Sequence, residues 1–228
     1  MVKKTNLEQV KNVARNFLYL DINVNEQFPF IARHPYIDTP FFVHENKIYN
    51  LSDDEDGLEL FINEMEKRIS EVNSYIEFEY LLTKPYKSAF LSYTKKYIDK
   101  YDLAAYLKAL WISTETVNVD VNISKIEYIR LFKAADRETL MQPEEREFFD
   151  RLPDELTIYR GINTVSNHPV NGLSWTPDLD TATWFAERFQ HGGMVYTARI
   201  KKTDILAYFN YEKETVVDFR KLENVKPL

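Results

Sequence analysis

The chain has 228 residues, a formal net charge of −7 and no cysteine. The missing thiols exclude disulfides, thiolate zinc sites and a cysteine nucleophile. With 44% hydrophobic and 29% charged residues the composition is globular and excludes a disordered chain.

No basic stripe of the kind that generic nucleic-acid binding requires is present, so a nucleic-acid partner is not expected. From Asp154 onward ten acids face nine bases, so the acidic excess lies in the N-terminal part. Two lysines near the start, Lys3 and Lys4, have no apolar run behind them, so no signal peptide is visible. Leu103 to Ile112 is interrupted by Lys108, and no window approaches a membrane span. The expectation is a soluble, cytoplasmic protein without a membrane partner. Fifteen Tyr and fifteen Phe predict a core built from flat rings.

Taken in order, residues 6–20 read as an amphipathic helix with Leu7, Val10, Ala14, Phe17 and Leu18 at helical spacing. A proline-bearing stretch, Phe28-Pro29-Phe30 and His34-Pro35-Tyr36, follows. Phe41–Leu51 predicts a small hairpin turning at Glu45-Asn46. The acid run Asp53-Asp54-Glu55-Asp56 suits the start of a helix better than a metal. That helix runs from about Leu58 past Ile76 to a stop at Lys84-Pro85. Further helices are expected over Tyr86–Asp99 and Leu103–Ser113, after the Ser124-Lys125-Ile126-Glu127 capping box, and from Pro143-Glu144-Glu145.

At Leu152-Pro153-Asp154 the character changes. Four of the five glycines (Gly161, Gly172, Gly192, Gly193) and the best strand candidates, Leu156–Arg160, Met194–Ile200, Ile205–Phe209 and Thr215–Phe219, lie beyond it. One helix, Thr181–Phe189, sits between strands, with Trp184, Phe185 and Phe189 apolar. The fold class is α+β: a mainly helical domain over residues 1–150 and a compact β-rich module over 151–228 with one or two helices.

Walker, GxGxxG, HExxH and GxSxG motifs are absent. His34, His44, His168 and His191 are too scattered for a metal cluster, and no metal is expected; His168, before Pro169, reads as an exposed loop residue. Three short motifs remain. Tyr159-Arg160-Gly161 ends a strand, where an arginine can fork onto a phosphate or ribose beside a glycine that lets backbone approach a ligand; a surface ion pair accounts for Arg160 equally well. Gly172-Leu173-Ser174-Trp175-Thr176 puts two hydroxyls on one face of a strand and the indole on the other, with Thr176 also suited to capping the next helix. Glu212-Lys213-Glu214 would put two carboxylates on one side of an extended chain; taken alone, such a pair is more often a solvated turn.

In this order and spacing the three motifs resemble the arginine–serine–glutamate class of ADP-ribosyltransferases, the cholera-toxin-like and arginine-specific mono-ADP-ribosyltransferases. The wider run, Leu152-Pro153-Asp154, Ile158-Tyr159-Arg160-Gly161, Trp184-Phe185-Ala186 and Leu206-Ala207-Tyr208-Phe209, is similar to ADP-ribosyltransferase-like proteins of phages and bacteria. The resemblance covers roughly residues 150–220; Trp175-Thr176 stands where many members have Thr-Ser. It implies a split β-sandwich that takes NAD as co-substrate and breaks its N-glycosidic bond through an oxocarbenium-like ribose. It implies Glu214 holding the ribose hydroxyl and the developing charge, and Ser174 positioning Glu214. Arg160, the Gly161 backbone and Thr176 would hold NAD, and Glu212 would orient and deprotonate an arginine acceptor. Trp184 and Phe185 would stack near nicotinamide, although packing is the favoured role for both. The acceptor is an unidentified protein, docked by the helical domain. Alternatives are hydrolysis of NAD, transfer to nucleic acid, and a binding or inhibitory module of the same fold without chemistry.

Overall fold

The computed structural model describes residues 4–114, 117–163, 170–188 and 192–228. The chain forms two compact units, Met1–Glu115 and Thr116–Leu228. This division corrects the boundary expected near residue 150. The intervening helices pack on the later strands, with Phe132 facing Phe209 (centroids 6.5 Å apart) and Phe148 stacked on Tyr208 at 4.2 Å.

In the first unit α1 (Leu7–Leu18) is capped by Asn6, whose side chain accepts from Gln9 N. The short strands β1 (Asn23–Val24) and β2 (Ala32–Arg33) pair, and β3 (Phe41–His44) and β4 (Lys47–Asn50) form the expected hairpin. Its turn residues Glu45 and Asn46 have φ of +47° and +63°, as a two-residue turn matched to strand twist requires. Asp54 caps α2 (Glu55–Glu71) by accepting from Gly57 N, so the acid run does start a helix. The helix stops well before Lys84-Pro85. Asn73 and Ser74 spend their side chains on Glu71 O and Glu77, and such local bonds compete with helix continuation. A 3₁₀ turn, Tyr75–Glu77, and α3 (Phe78–Leu81) follow, then α4 (Lys87–Thr94) and α5 (Lys100–Ser113). Tyr75, Phe78, Phe90 and Tyr106 form the buried ring cluster, with the Tyr75 hydroxyl 2.6 Å from Thr94 Oγ1.

The second unit opens with α6 (Lys125–Ala134), α7 (Arg137–Leu140) and α8 (Pro143–Arg151); Ser124 caps the first and a Gln142–Glu145 capping box starts the last. Next come β5 (Glu155–Asn163), β6 (Ser174–Trp175), α9 (Leu179–Glu187), β7 (Gly193–Lys201), β8 (Ile205–Phe209), β9 (Glu214–Val217) and β10 (Glu223–Pro227). They make two antiparallel sheets of three strands, ordered β10-β7-β5 and β6-β9-β8. The sheets meet where Tyr159 and Thr176 exchange both backbone hydrogen bonds, at 2.7 and 2.9 Å. No helix among the described residues is long and apolar enough to cross a membrane.

Helix α9 lies directly on the β5–β7 backbone through two glycines and two alanines. A Cβ on Gly161 would fall 2.0 Å from Ala182 O, and one on Gly193 2.1 Å from Ala186 O. Both contacts are backbone, which no rotamer change relieves. Gly161→Ala should therefore cost about 1–3 kcal/mol by overpacking, read as a lowered denaturation midpoint with an unchanged slope.

Asp218, fully buried after β9, receives Arg220 Nε and Nη2 at 2.8 and 2.7 Å and Lys133 Nζ at 3.1 Å, tying α6 to the sheet. The Arg220 hydrogen bonds hold its carboxyl down to about 2. A depressed carboxyl contributes stability that is complete above its ordinary pKa and lost as pH falls toward the folded value. Both cationic partners are half-exposed, so the contribution is about 1–2 kcal/mol. Asp218→Asn should lower stability by this amount at neutral pH, with the gap from wild type closing between about pH 4 and pH 2 in denaturation curves.

Candidate active site

Arg160 leaves the β5 strand into the protein rather than into solvent. Its side chain is buried, Nη1 donates to Ser174 O, and Nε has no hydrogen-bond partner among the described residues. Burial pulls the guanidinium down to about 10, and the charge of Glu214 works against that shift. The surface ion pair considered for this arginine is thus replaced by a buried cation facing one catalytic candidate. Gly172 makes the room: a Cβ there would lie 2.6 Å from Arg160 Cζ. The segment under the guanidinium is pinned from several sides. Trp175 Nε1 donates to Gly172 O at 3.1 Å, Leu173 N to Asn118 Oδ1 at 2.8 Å and Lys125 Nζ to Asn171 O at 2.8 Å.

Lys125 is a second cation at this corner. Burial, then the charge of Arg160, lowers its pKa. Neither cation forms a salt bridge among the described residues. The corner is electropositive and partly desolvated, the condition in which an anion is held strongly. In the sequence Lys125 is legible only as part of a helix cap, and nothing there marks it as a neighbour of Arg160.

Glu214 opens β9 and is half-buried. Ser174 faces Val216 and Trp175 faces Thr215. Val217 N donates to Leu173 O, marking that rung as hydrogen-bonded. Two facts follow from ladder alternation. Ser174 shares a face with Glu214 but stands diagonal to it, and one step on the register sets Thr176 directly opposite Glu214, on a rung whose side chains approach closely. Thr176 is not the helix cap: Asp178 caps α9 through Thr181 N at 2.9 Å, while Thr176 Oγ1 accepts from Asp178 N at 3.1 Å and keeps its own proton to donate. Trp175 is core, as expected.

Glu212 lies in the turn between β8 and β9. Lys213 has φ +47°, so the chain is not extended there, and strand alternation does not relate the two glutamates. What sets their relation is how the turn is held. Glu145 Oε1 on α8 accepts from Asn210 N at 3.1 Å, and Lys213 Nζ bonds the Asp178 carboxylate at the start of α9. Glu145 reads as a helix cap in the sequence, and its long-range bond has no local signature. Glu212 still reaches solvent, yet partial desolvation pushes its pKa up, against the pull of Arg188. A raised carboxyl is a better base.

Trp184 corrects the sequence reading: it is 58% exposed, so packing is not its role, and its ring meets Phe185 edge-on with centroids 5.0 Å apart. Phe185 is half-buried beside Gly161. Gly161 also needs a different reason from the one expected. Its side-chain position is filled by α9, and its ligand-facing groups are backbone. Tyr159 aims its N–H and C=O at Thr176, away from β7, and alternation aims those of Gly161 the same way. Phe189, His168 and His191 lie outside the described residues.

Comparison with family models, curated proteins and solved structures finds no match to this chain. The geometry isolates one substitution that separates site from fold. In Gly172→Ala the three nearest neighbours of the new methyl are the guanidinium atoms at the far end of the Arg160 side chain, so the guanidinium must swing aside while the sheet stays. Thermal stability should change little, and affinity for inorganic pyrophosphate as an anionic probe, read by calorimetry, should fall about tenfold or more, the equivalent of one charge-assisted hydrogen bond.

Proposed function

We propose that this chain is an NAD-dependent mono-ADP-ribosyltransferase that modifies a protein, on arginine, with release of nicotinamide. The observation that carries the reading is the buried Arg160, with an unpartnered Nε, opposed electrostatically by Glu214 and seconded by Lys125. Two small antiparallel sheets meeting at Tyr159–Thr176, with α9 on one face, are in keeping with the split β-sandwich of that class.

In this reading Arg160 and Lys125 hold phosphate and ribose oxygens. The Gly161 N–H and C=O match the donor and acceptor of a carboxamide, and Trp184 with Phe185 offers the aromatic surface beside it. Glu214 holds the ribose hydroxyl and steadies positive charge developing on the ribose, kept in place by the hydroxyls of Ser174 and Thr176. Nicotinamide leaves as a neutral ring, so the chain needs no strong general acid. Glu212, exposed and less acidic than usual, takes the acceptor's proton. No step requires a metal.

Glu214→Gln should lower nicotinamide release by about 100- to 1,000-fold, the scale of losing one electrostatic stabiliser at a reacting centre. Arg160→Lys should raise the KM for NAD far more than it lowers kcat, because the planar fork is lost while the charge stays. Glu212→Gln should abolish transfer yet leave slow hydrolysis. The assay is labelled NAD with a host lysate, nicotinamide and labelled protein being followed separately. Free nicotinamide without labelled protein would make water the acceptor, and no nicotinamide at all would remove the enzyme reading in favour of a binding module.

A further inference from the structure

The two faces of the β3–β4 hairpin in the first unit differ in what covers them. Strand alternation puts Phe42, His44, Lys47 and Tyr49 on the inner face, against α2. Phe42 meets Phe61 edge-on with centroids 5.5 Å apart, and His44 Nδ1 lies 3.6 Å from the Glu64 carboxylate. Tyr49 approaches the helix so closely that a Cβ on Gly57 would fall 2.5 Å from Tyr49 Cβ. These contacts hold the hairpin, and a polar outer face would serve the fold equally well. Instead the outer face carries Phe41, Val43 and Ile48, which are 44%, 64% and 68% exposed. Leu51 N donates to Pro40 O, so every second rung from there to the turn is hydrogen-bonded. Val43 stands opposite Ile48 on a rung of the other kind, where side chains approach closely, and Phe41 is the next residue along that face. The three form a contiguous apolar strip, not scattered exposed residues.

Charge decides what can cover this strip. From Pro35 to Glu66 the chain has nine acids and one base, Lys47. The Lys47 ammonium lies over the Tyr49 ring, 4.1 Å from its centre and on the inner face, so the hairpin sets no cation beside the strip. At one end of the strip Glu45 is exposed in the turn. At the other end Asn50, opposite Phe41, donates to the Asp53 carboxylate at 2.7 Å. A second copy of the chain would set acid against acid, and an anionic lipid surface would meet the same repulsion. We infer that the outer face of the β3–β4 hairpin is a docking surface for a basic protein segment. Apolar side chains of that segment cover Phe41, Val43 and Ile48, and flanking Lys or Arg side chains reach Glu45 and Asp53. Apolar burial supplies the affinity, while the carboxylates steer the partner and select its charge. The surface belongs to the first unit, and its use does not depend on the transferase reading.

The test titrates the full chain into a short fluorescent peptide with a valine–isoleucine centre and lysines at both ends, and into a control peptide whose lysines are glutamates. The expected result is saturable binding of the lysine peptide that weakens as salt is raised, and binding of the control about tenfold weaker or less. Val43→Thr combined with Ile48→Thr should lower affinity for the lysine peptide about tenfold or more through lost apolar burial. The thermal midpoint of that variant should stay at the wild-type value, because both side chains are exposed. Glu45→Gln combined with Asp53→Asn should flatten the salt dependence. Equal binding of both peptides, binding that survives the threonine substitutions, or no binding at all would each overturn the inference. Dimerisation that the threonine substitutions abolish would overturn it in favour of a second copy as occupant. Retention on phosphatidylserine vesicles, lost with the same substitutions, would overturn it in favour of a membrane.

Discussion

A buried guanidinium constrains the second unit more than any other single group. Taking an arginine out of water costs several kcal/mol unless its charge and its N–H groups are answered. Here the answers are incomplete. Ser174 O takes one N–H, Glu214 supplies opposing charge, and Nε is left over. A second cation at Lys125 makes the corner worse for the empty protein rather than better. What the fold does provide is room and rigidity. Gly172 leaves the space, while the Trp175 indole, Asn118 and Lys125 fix the strand beneath it. Rigid walls around an undersatisfied cation describe a site organised for an anion, with stability given up locally in exchange for an oriented donor.

The two glycines of the site work in opposite ways. Gly172 is small so that a side chain fits over it, whereas Gly161 is small so that a helix backbone lies on it. The second contact sets the position of α9 relative to β5, and through α9 the heights of Trp184, Phe185 and Arg188 above the strand end. Because Ala182 and Ala186 supply the other side of that contact, backbone meets backbone with little side chain between to adjust. The aromatic rim is therefore positioned by the strand that carries Arg160, while the Glu212 turn is held by separate bonds from Glu145 and Lys213.

Local signals in the sequence were reliable because local physics decides them. The hairpin at Glu45-Asn46, the helix starts at Asp54, Ser124 and Pro143, and strands β5, β7, β8 and β9 all follow from spacing and turn chemistry, whereas β10 was not expected. Long-range packing was not legible. Helices α6 to α8 look like the end of a helical domain, yet their aromatics complete the β8 face, which moves the boundary to residue 115. The constellation Arg160, Ser174, Glu214 could be read from order, but not Lys125 or Glu145, whose residue types serve equally as helix caps. Thr176 was read as sharing a face with Ser174, and only the register makes it the one opposite Glu214. The period-2 argument for Glu212 failed at one dihedral, the left-handed Lys213. Trp184 was misread as core because an apolar residue on a helix carries no mark of which side is covered.

Each glutamate of the pair answers a different arginine, and the difference in their surroundings separates what they can do. Arg160 and Glu214 interact in a largely desolvated corner, where opposite charges feel each other strongly and salt screens them little. A carboxylate held there acts directly on a buried cation. Arg188 and Glu212 interact at the rim, where water weakens their attraction and desolvation of the carboxyl outweighs it. Glu212 therefore binds protons more readily than an ordinary glutamate while remaining within reach of solvent. The turn between them, closed by the left-handed Lys213 and anchored to Asp178 and Glu145, keeps these two environments apart within three consecutive residues. The separation of the two carboxylate environments is thus a property of the turn as much as of either glutamate.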